Sequence, residues 1–228
     1  PRMASNLQIA DRLVIGDQAP WRCATVCRSG DFVYGPAMRT SLLVLSTLLA
    51  FGPQAGRAPA TAVTAPCTSY TTTACAQWVT LGGGPARSMV YSTYSLDAAN
   101  PAIQRALIMV HGTNRNADHY FGTATAAAFL AGAINDTVVI APHMIDQSDK
   151  AEANEVVWES SWRTGGPSRS NPPLTSFDFV DEILRRLATK RVFPNMRAIV
   201  VAGHSAGGQF ANRYAMSNKV HDTLGVPV

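Results

Sequence analysis

Apolar residues in this chain come in short runs separated by polar and glycine-rich stretches, and the spacing within each run predicts its structure. Residues 77–81 (QWVTL) and 86–96 (ARSMVYSTYSL) flank Gly82, Gly83, Gly84 and Pro85. β-Branched and aromatic side chains on both sides of a turn signal predict two strands that start a sheet. Residues 106–110 (ALIMV) are continuously apolar up to His111 and Gly112, the pattern of a strand covered on both faces. A small-residue stretch at 124–133 predicts a helix, and 137–141 (TVVIA) predicts a further strand stopped by Pro142. Residues 142–175 then read as a long polar loop holding Trp158, Trp162 and the breaker cluster GGPSRSNPP; loops of this length are usually functional or mobile. The next helix has its start and end written out. Thr175 and Asp178 fit a capping box, Phe179, Val180, Ile183, Leu184 and Leu187 recur at helical spacing, and Arg185, Arg186 and Lys190 crowd the end that favours cations. Residues 198–202 predict the last strand. Strands alternating with helices imply an α/β chain with a mostly parallel sheet flanked by helices. Ligands of such sheets gather at the carboxyl ends of the strands, where His111, Gly112 and Ser205 all fall.

The first third of the chain follows a different pattern. Arg39 after Met38 forms a short basic start, residues 42–51 (LLVLSTLLAF) are an apolar core, and small residues follow at Ala58, Ala60 and Ala62. That order resembles a secretory signal peptide over 38–62, and a ten-residue apolar core falls short of the roughly 20 residues that span a bilayer. A secreted or periplasmic protein with no stable membrane anchor is expected, with 63–228 as the globular part and 1–37 as upstream sequence foreign to the exported protein. Beyond 62 only Cys67 and Cys75 remain, and in an oxidising compartment they are expected to pair. Two cysteines with no nearby histidine do not make a zinc site, so no metal is expected. Cys23 and Cys27 belong to the upstream stretch. The net charge of +4 is also concentrated there: after residue 62 the chain has 13 basic and 12 acidic residues. That balance offers no field for a phosphate backbone, which argues against nucleic acid as a partner.

The candidate chemistry lies in residues 199–210, IVVAGHSAGGQF. A buried-strand run enters Gly203-His204-Ser205-Ala206-Gly207 and a helix-compatible segment leaves it, the context in which G-x-S-x-G exposes a nucleophilic serine. The turn is strained, and Gly203 and Gly207 remove side chains that would collide around it, while Gly208 eases packing of the new helix. Free amides at that helix start favour an anionic tetrahedral intermediate. The loop after the earlier strand supplies His111-Gly112-Thr113 opposite, so the backbone amides of Thr113 and Ala206 are the expected oxyanion donors, with Gly112 allowing close approach. Together HGTNRNADHYF and AGHSAGGQFANRYA resemble the α/β-hydrolase superfamily, in particular its secreted esterase-like members, over about 78–228. The resemblance implies a cofactor-free hydrolase of small-molecule or polymeric carboxylic esters. It also implies further strands whose loops carry the acid and the histidine of a triad, expected beyond residue 228, so that these 228 residues alone would be nearly inactive and would leave an unpaired edge after the serine strand.

The histidines within the chain fit a catalytic base poorly. His221 lies 16 residues past Ser205, about 24 Å along an unbroken helix. His204 adjoins the nucleophile and is expected to bond locally, His111 to shape its loop, and His119 and His143 to be structural or solvent-facing. Asp222 falls too early for the acid. Trp158 and Trp162 are candidates for an acyl pocket or for packing under the long loop. Asn135 heads a glycosylation sequon but abuts a predicted buried strand. Two rival readings stay open: a non-catalytic domain that keeps the turn as architecture, and thioester, peptide or cofactor-free oxidative chemistry on the same fold.

Overall fold

Among the described residues, five strands and three α-helices follow one another as β1 (Ala76–Thr80), β2 (Arg87–Ser92), β3 (Arg105–Val110), α1 (Ala117–Leu130), β4 (Thr137–Pro142), α2 (Ser176–Ala188), β5 (Ala198–Gly203) and α3 (Ala206–Ser217). The computed structural model describes residues 64–158 and 160–228. The expected signal segment at 38–62 and the upstream stretch with Cys23 and Cys27 lie outside the described residues.

The strands form one sheet in the order β1-β2-β4-β3-β5. It is mixed, which corrects the expectation of a mostly parallel sheet. β3 pairs in parallel with β4 and β5, whereas β1 with β2 and β2 with β4 are antiparallel. The connection explains the hairpin: Gly82, Gly83 and Gly84 all adopt positive φ, a turn too short for the crossover that a parallel pair needs.

Period-two alternation sends each strand's side chains into two cores. Ile108, Val138 and Ile140 point to the face covered by α2 and α3, while Val139 and Ala141 join Phe121, Ala124 and Ala128 of α1 on the other. α1 begins at Ala117, seven residues before the expected start. Ala117, Phe121, Ala124, Thr125 and Ala128 are its buried residues, so the helical spacing already starts within the stretch read as a loop motif. α2 has the predicted cap: Thr175 Oγ1 accepts the Asp178 amide and the Asp178 carboxylate accepts the Thr175 amide. Phe179, Val180, Ile183, Leu184 and Leu187 are fully buried. Each contributes roughly 1.5–3 kcal/mol of apolar burial, so packing rather than helix propensity holds α2 in place.

The segment after β4 is less loop-like than its polarity suggests. It contains a 3₁₀ turn at Ser160–Thr164 and folds both tryptophans into the main core. Trp158 stacks on Phe179 with centroids 5.8 Å apart, and Trp162 meets His111 edge-on at 4.9 Å. Both are packed in the core, and neither lines the cavity at Ser205. Cys67 and Cys75 form the expected disulfide, and the ring of Tyr70 in that loop lies against Gly122 of α1. β5 is an edge strand that pairs only with β3 among the described strands, and Val200 on it is 53% exposed. No helix among the described residues is long and apolar enough to cross a membrane.

Candidate active site

The end of β5 and the start of α3 meet with no room for side chains. A Cβ on Gly203 would sit 2.3 Å from the Gly207 carbonyl, and a Cβ on Gly207 would sit 2.2 Å from the Val110 oxygen and 2.5 Å from that of His111. These contacts are with backbone, which cannot swing aside, so the two glycines seat α3 against the carboxyl ends of β3 and β5. Gly208 is also close, 3.3 Å from the Gly203 oxygen by the same measure. Between strand and helix, Ser205 adopts φ 56° and ψ −118°. A non-glycine residue there stores strain on the order of 1–3 kcal/mol. The residue is exposed, and its hydroxyl makes no hydrogen bond among the described residues.

The loop after β3 forms the facing wall. His111 is fully buried; its Nδ1–H donates to the Gly112 carbonyl at 2.9 Å, and its Nε2 accepts the Met144 amide at 3.0 Å. That pairing requires the neutral Nδ1–H tautomer. Burial drives its pKa down to about 4, aided by the nearby His143 and Arg115 charges and opposed by its bonds to backbone carbonyls. The Gly112 carbonyl also accepts the Arg115 amide at 3.1 Å. Neither the Thr113 nor the Ala206 amide donates to another group among the described residues. Gly112, Thr113, Asn116, Tyr120, His204 and Ser205 line a shallow cavity of about 210 Å³. Beside it a groove of about 450 Å³ continues past Tyr120 and His204 to Met109, His119 and Thr123.

Ser205, Thr113 and Gly112 thus line one cavity, Ala206 follows Ser205 as the first residue of α3, and Gly203 and Gly207 form the close strand–helix contact beside them. The histidines separate. His204 is exposed on the elbow, and its Nδ1 is hydrogen-bonded with the Tyr120 hydroxyl at 3.0 Å. His143 is mostly buried, its pKa lowered by burial first of all. His119 is exposed and lies 3.8 Å from the Asp118 carboxylate. His221 sits in the 3₁₀ turn His221–Thr223, bonded to Asn218 and 3.0 Å from Asp222. It lines a groove on the outer face of β5 with Ile199, Val200 and Tyr214, a groove Ser205 does not border. Among the described residues no group of three His, Cys, Asp or Glu side chains is placed to hold a metal.

Three residues of this neighbourhood are absent from the sequence-based set: Arg115, Asn116 and Tyr120. The signal for Tyr120 is present within HGTNRNADHYF, because a helix starting at 117 puts it in the first turn, facing the elbow.

No protein-family model matches the sequence, and no curated protein does. Among solved structures the chain is similar to poly(aspartic acid) hydrolase-1 from Sphingomonas sp. KT-1, at 20% identity and a TM-score of 0.36. The match covers 61% of this chain and 50% of that enzyme.

Proposed function

We propose that this chain is a serine hydrolase of the α/β-hydrolase type, cleaving carboxylic esters with Ser205 as nucleophile. The observation that carries the reading is the Ser205 backbone: an exposed serine held at φ 56°, after a strand of a parallel trio and at the first turn of α3. Proteins keep such strain where surrounding structure over-determines it, and here the Gly203 and Gly207 contacts do so. Ser205 Oγ attacks the ester carbonyl, and the carbonyl oxygen becomes an oxyanion stabilised by the Thr113 and Ala206 amides and by the α3 dipole. The C–O bond then breaks, the alcohol leaves with a proton, and water releases the acid from the acyl-enzyme. A histidine–acid pair accepts the serine proton in this reading; among the described residues no histidine hydrogen-bonds with Ser205 Oγ. Export by a signal segment starting at Met38, with the mature protein beginning after residue 62, belongs to the same reading and agrees with the Cys67–Cys75 disulfide.

The test is hydrolysis of short acyl esters and labelling with a fluorophosphonate, using protein expressed from its complete reading frame. Stoichiometric modification at Ser205, lost in Ser205→Ala together with turnover, supports the assignment. Folded wild-type protein that stays unmodified refutes it.

A further inference from the structure

The Thr113 amide can serve an oxyanion only if its peptide plane is fixed, and the chain spends an unusual amount of structure on that plane. The Gly112 carbonyl, the other end of the same peptide, accepts from two donors, His111 Nδ1–H at 2.9 Å and the Arg115 amide at 3.1 Å. The Gly112–Thr113 bond is not among the cis peptides. In a trans peptide the amide hydrogen points opposite to the carbonyl, so pinning the oxygen turns the Thr113 N–H away from both donors and leaves it unpaired. Thr113 and Ser205 line the same cavity.

The second donor depends on Arg115 holding a left-handed backbone at φ 56°, an uncommon conformation for a residue of this type. Its side chain accounts for that. Nε donates to Asp149 Oδ2 at 2.6 Å, one terminal nitrogen lies 2.9 Å from Asp146 Oδ2 and donates to the Thr113 carbonyl at 3.2 Å, and the other donates to Ser148 Oγ at 2.9 Å and reaches Asp149 Oδ1 at 3.3 Å. The 146–149 loop is itself braced, because Asp149 accepts the Asp146 amide and Asp146 accepts both the amide and the hydroxyl of Ser148. Every guanidinium nitrogen is therefore engaged, and two carboxylates offset its charge. Arg115 is not placed to bind the anion directly; its geometry suits holding a loop.

We propose that Arg115 is the positioning residue of the oxyanion pocket: by tying the 111–116 loop to the 146–149 loop it holds the Gly112–Thr113 peptide in the orientation that presents the Thr113 amide beside Ser205. This rests on the serine-hydrolase reading above. The peptide plane is pinned from two sides, by His111 anchored on Met144 and by Arg115 anchored on Asp146 and Asp149. Loss of the arginine leaves the carbonyl with one donor and frees the left-handed residue to relax.

The test compares wild type, Arg115→Asn and Asp149→Asn, each from the complete reading frame, with active sites counted by fluorophosphonate. Asn tolerates positive φ, so Arg115→Asn removes the clamp with little backbone penalty. Asp149→Asn keeps the guanidinium and weakens its main anchor, and serves where the first variant folds poorly. Expected is a fall in kcat per titrated site of about 10-fold to 100-fold in Arg115→Asn with KM within about threefold, and a smaller fall in Asp149→Asn. The affinity of an alkylboronic acid, which forms a tetrahedral anion on the serine, should fall in parallel with kcat. A purely structural role would lower the melting temperature and the titratable fraction but leave both ratios unchanged; that result in either folded variant overturns the proposal. If wild-type Ser205 is unreactive, the hydrolase reading fails and this inference with it; a reactive Ser205 with unchanged kcat in the variants removes only the inference.

Discussion

Acid should destabilise this protein in part through the buried imidazole of His111. His111 is fully buried and its one acceptor nitrogen is occupied by the Met144 amide, so a second ring proton would meet a donor instead of a lone pair. Its folded pKa is about 4 against an ordinary 6.5. Between those values the unfolded chain binds a proton that the native state refuses, so stability rises with pH across the window and His111 imposes no penalty above about 6.5. That gap corresponds to about 3 kcal/mol, lost progressively as pH falls from about 6.5 to about 4. His143, also lowered, acts in the same direction, while Glu155 and Asp181, raised by burial, act in the opposite one. The isolating experiment is therefore a difference: urea unfolding of wild type and His111→Gln at half-unit steps from pH 7.5 to 4. The stability of wild type relative to the variant should drop by about 3 kcal/mol across the range, and an NMR titration of the His111 ring should show no ionisation above about pH 5. A difference that stays flat, or a ring titrating near 6.5, would refute the burial argument and with it the His111 brace on the Gly112 carbonyl.

Three further outcomes follow from packing and strain. Gly207→Ala places a methyl group 2.2 Å from the Val110 oxygen, so denaturant unfolding should show a loss of about 3 kcal/mol or more, or no folded protein at all. Ser205→Gly removes the nucleophile but relieves the positive-φ strain; after the entropic cost of glycine it should raise stability by roughly 1 kcal/mol in the same assay, and lower stability would contradict the strain. Tyr214→Phe deletes the hydroxyl that donates to Asp181 at 2.6 Å between α3 and α2, leaving a half-buried carboxylate short of a donor. It should cost about 1–3 kcal/mol at pH 7 and less at low pH, where Asp181, its pKa already raised by burial, is protonated.

The parts of the fold legible in the sequence were those where local chemistry and periodicity agree. The Thr175–Asp178 cap, the apolar face of α2 and the strand ahead of Ser205 needed no distant contact to recognise. The mixed sheet was harder, because strand direction depends on how a hairpin joins a parallel trio, and an apolar run such as 106–110 is the same in either direction. The start of α1 is hard to recognise because its first turn is polar and lies within HGTNRNADHYF. The long segment after β4 looked like loop by composition, yet Trp158 and Trp162 bury it. At the site, the elbow glycines could be placed from sequence because steric crowding is local. Arg115 could not, since its partners Asp146, Ser148 and Asp149 lie more than 30 residues away and only the fold brings them together.

The central claim is that the Ser205 hydroxyl and the Thr113 and Ala206 amides converge on one reacting carbon. Crystallography of the protein from its complete reading frame, inhibited with an alkyl phosphonate, tests this most directly. Expected are phosphorus bonded to Ser205 Oγ and the phosphonyl oxygen about 2.7–3.1 Å from both amide nitrogens. An adduct on another residue, or a phosphonyl oxygen turned toward solvent and out of reach of Thr113, would contradict it.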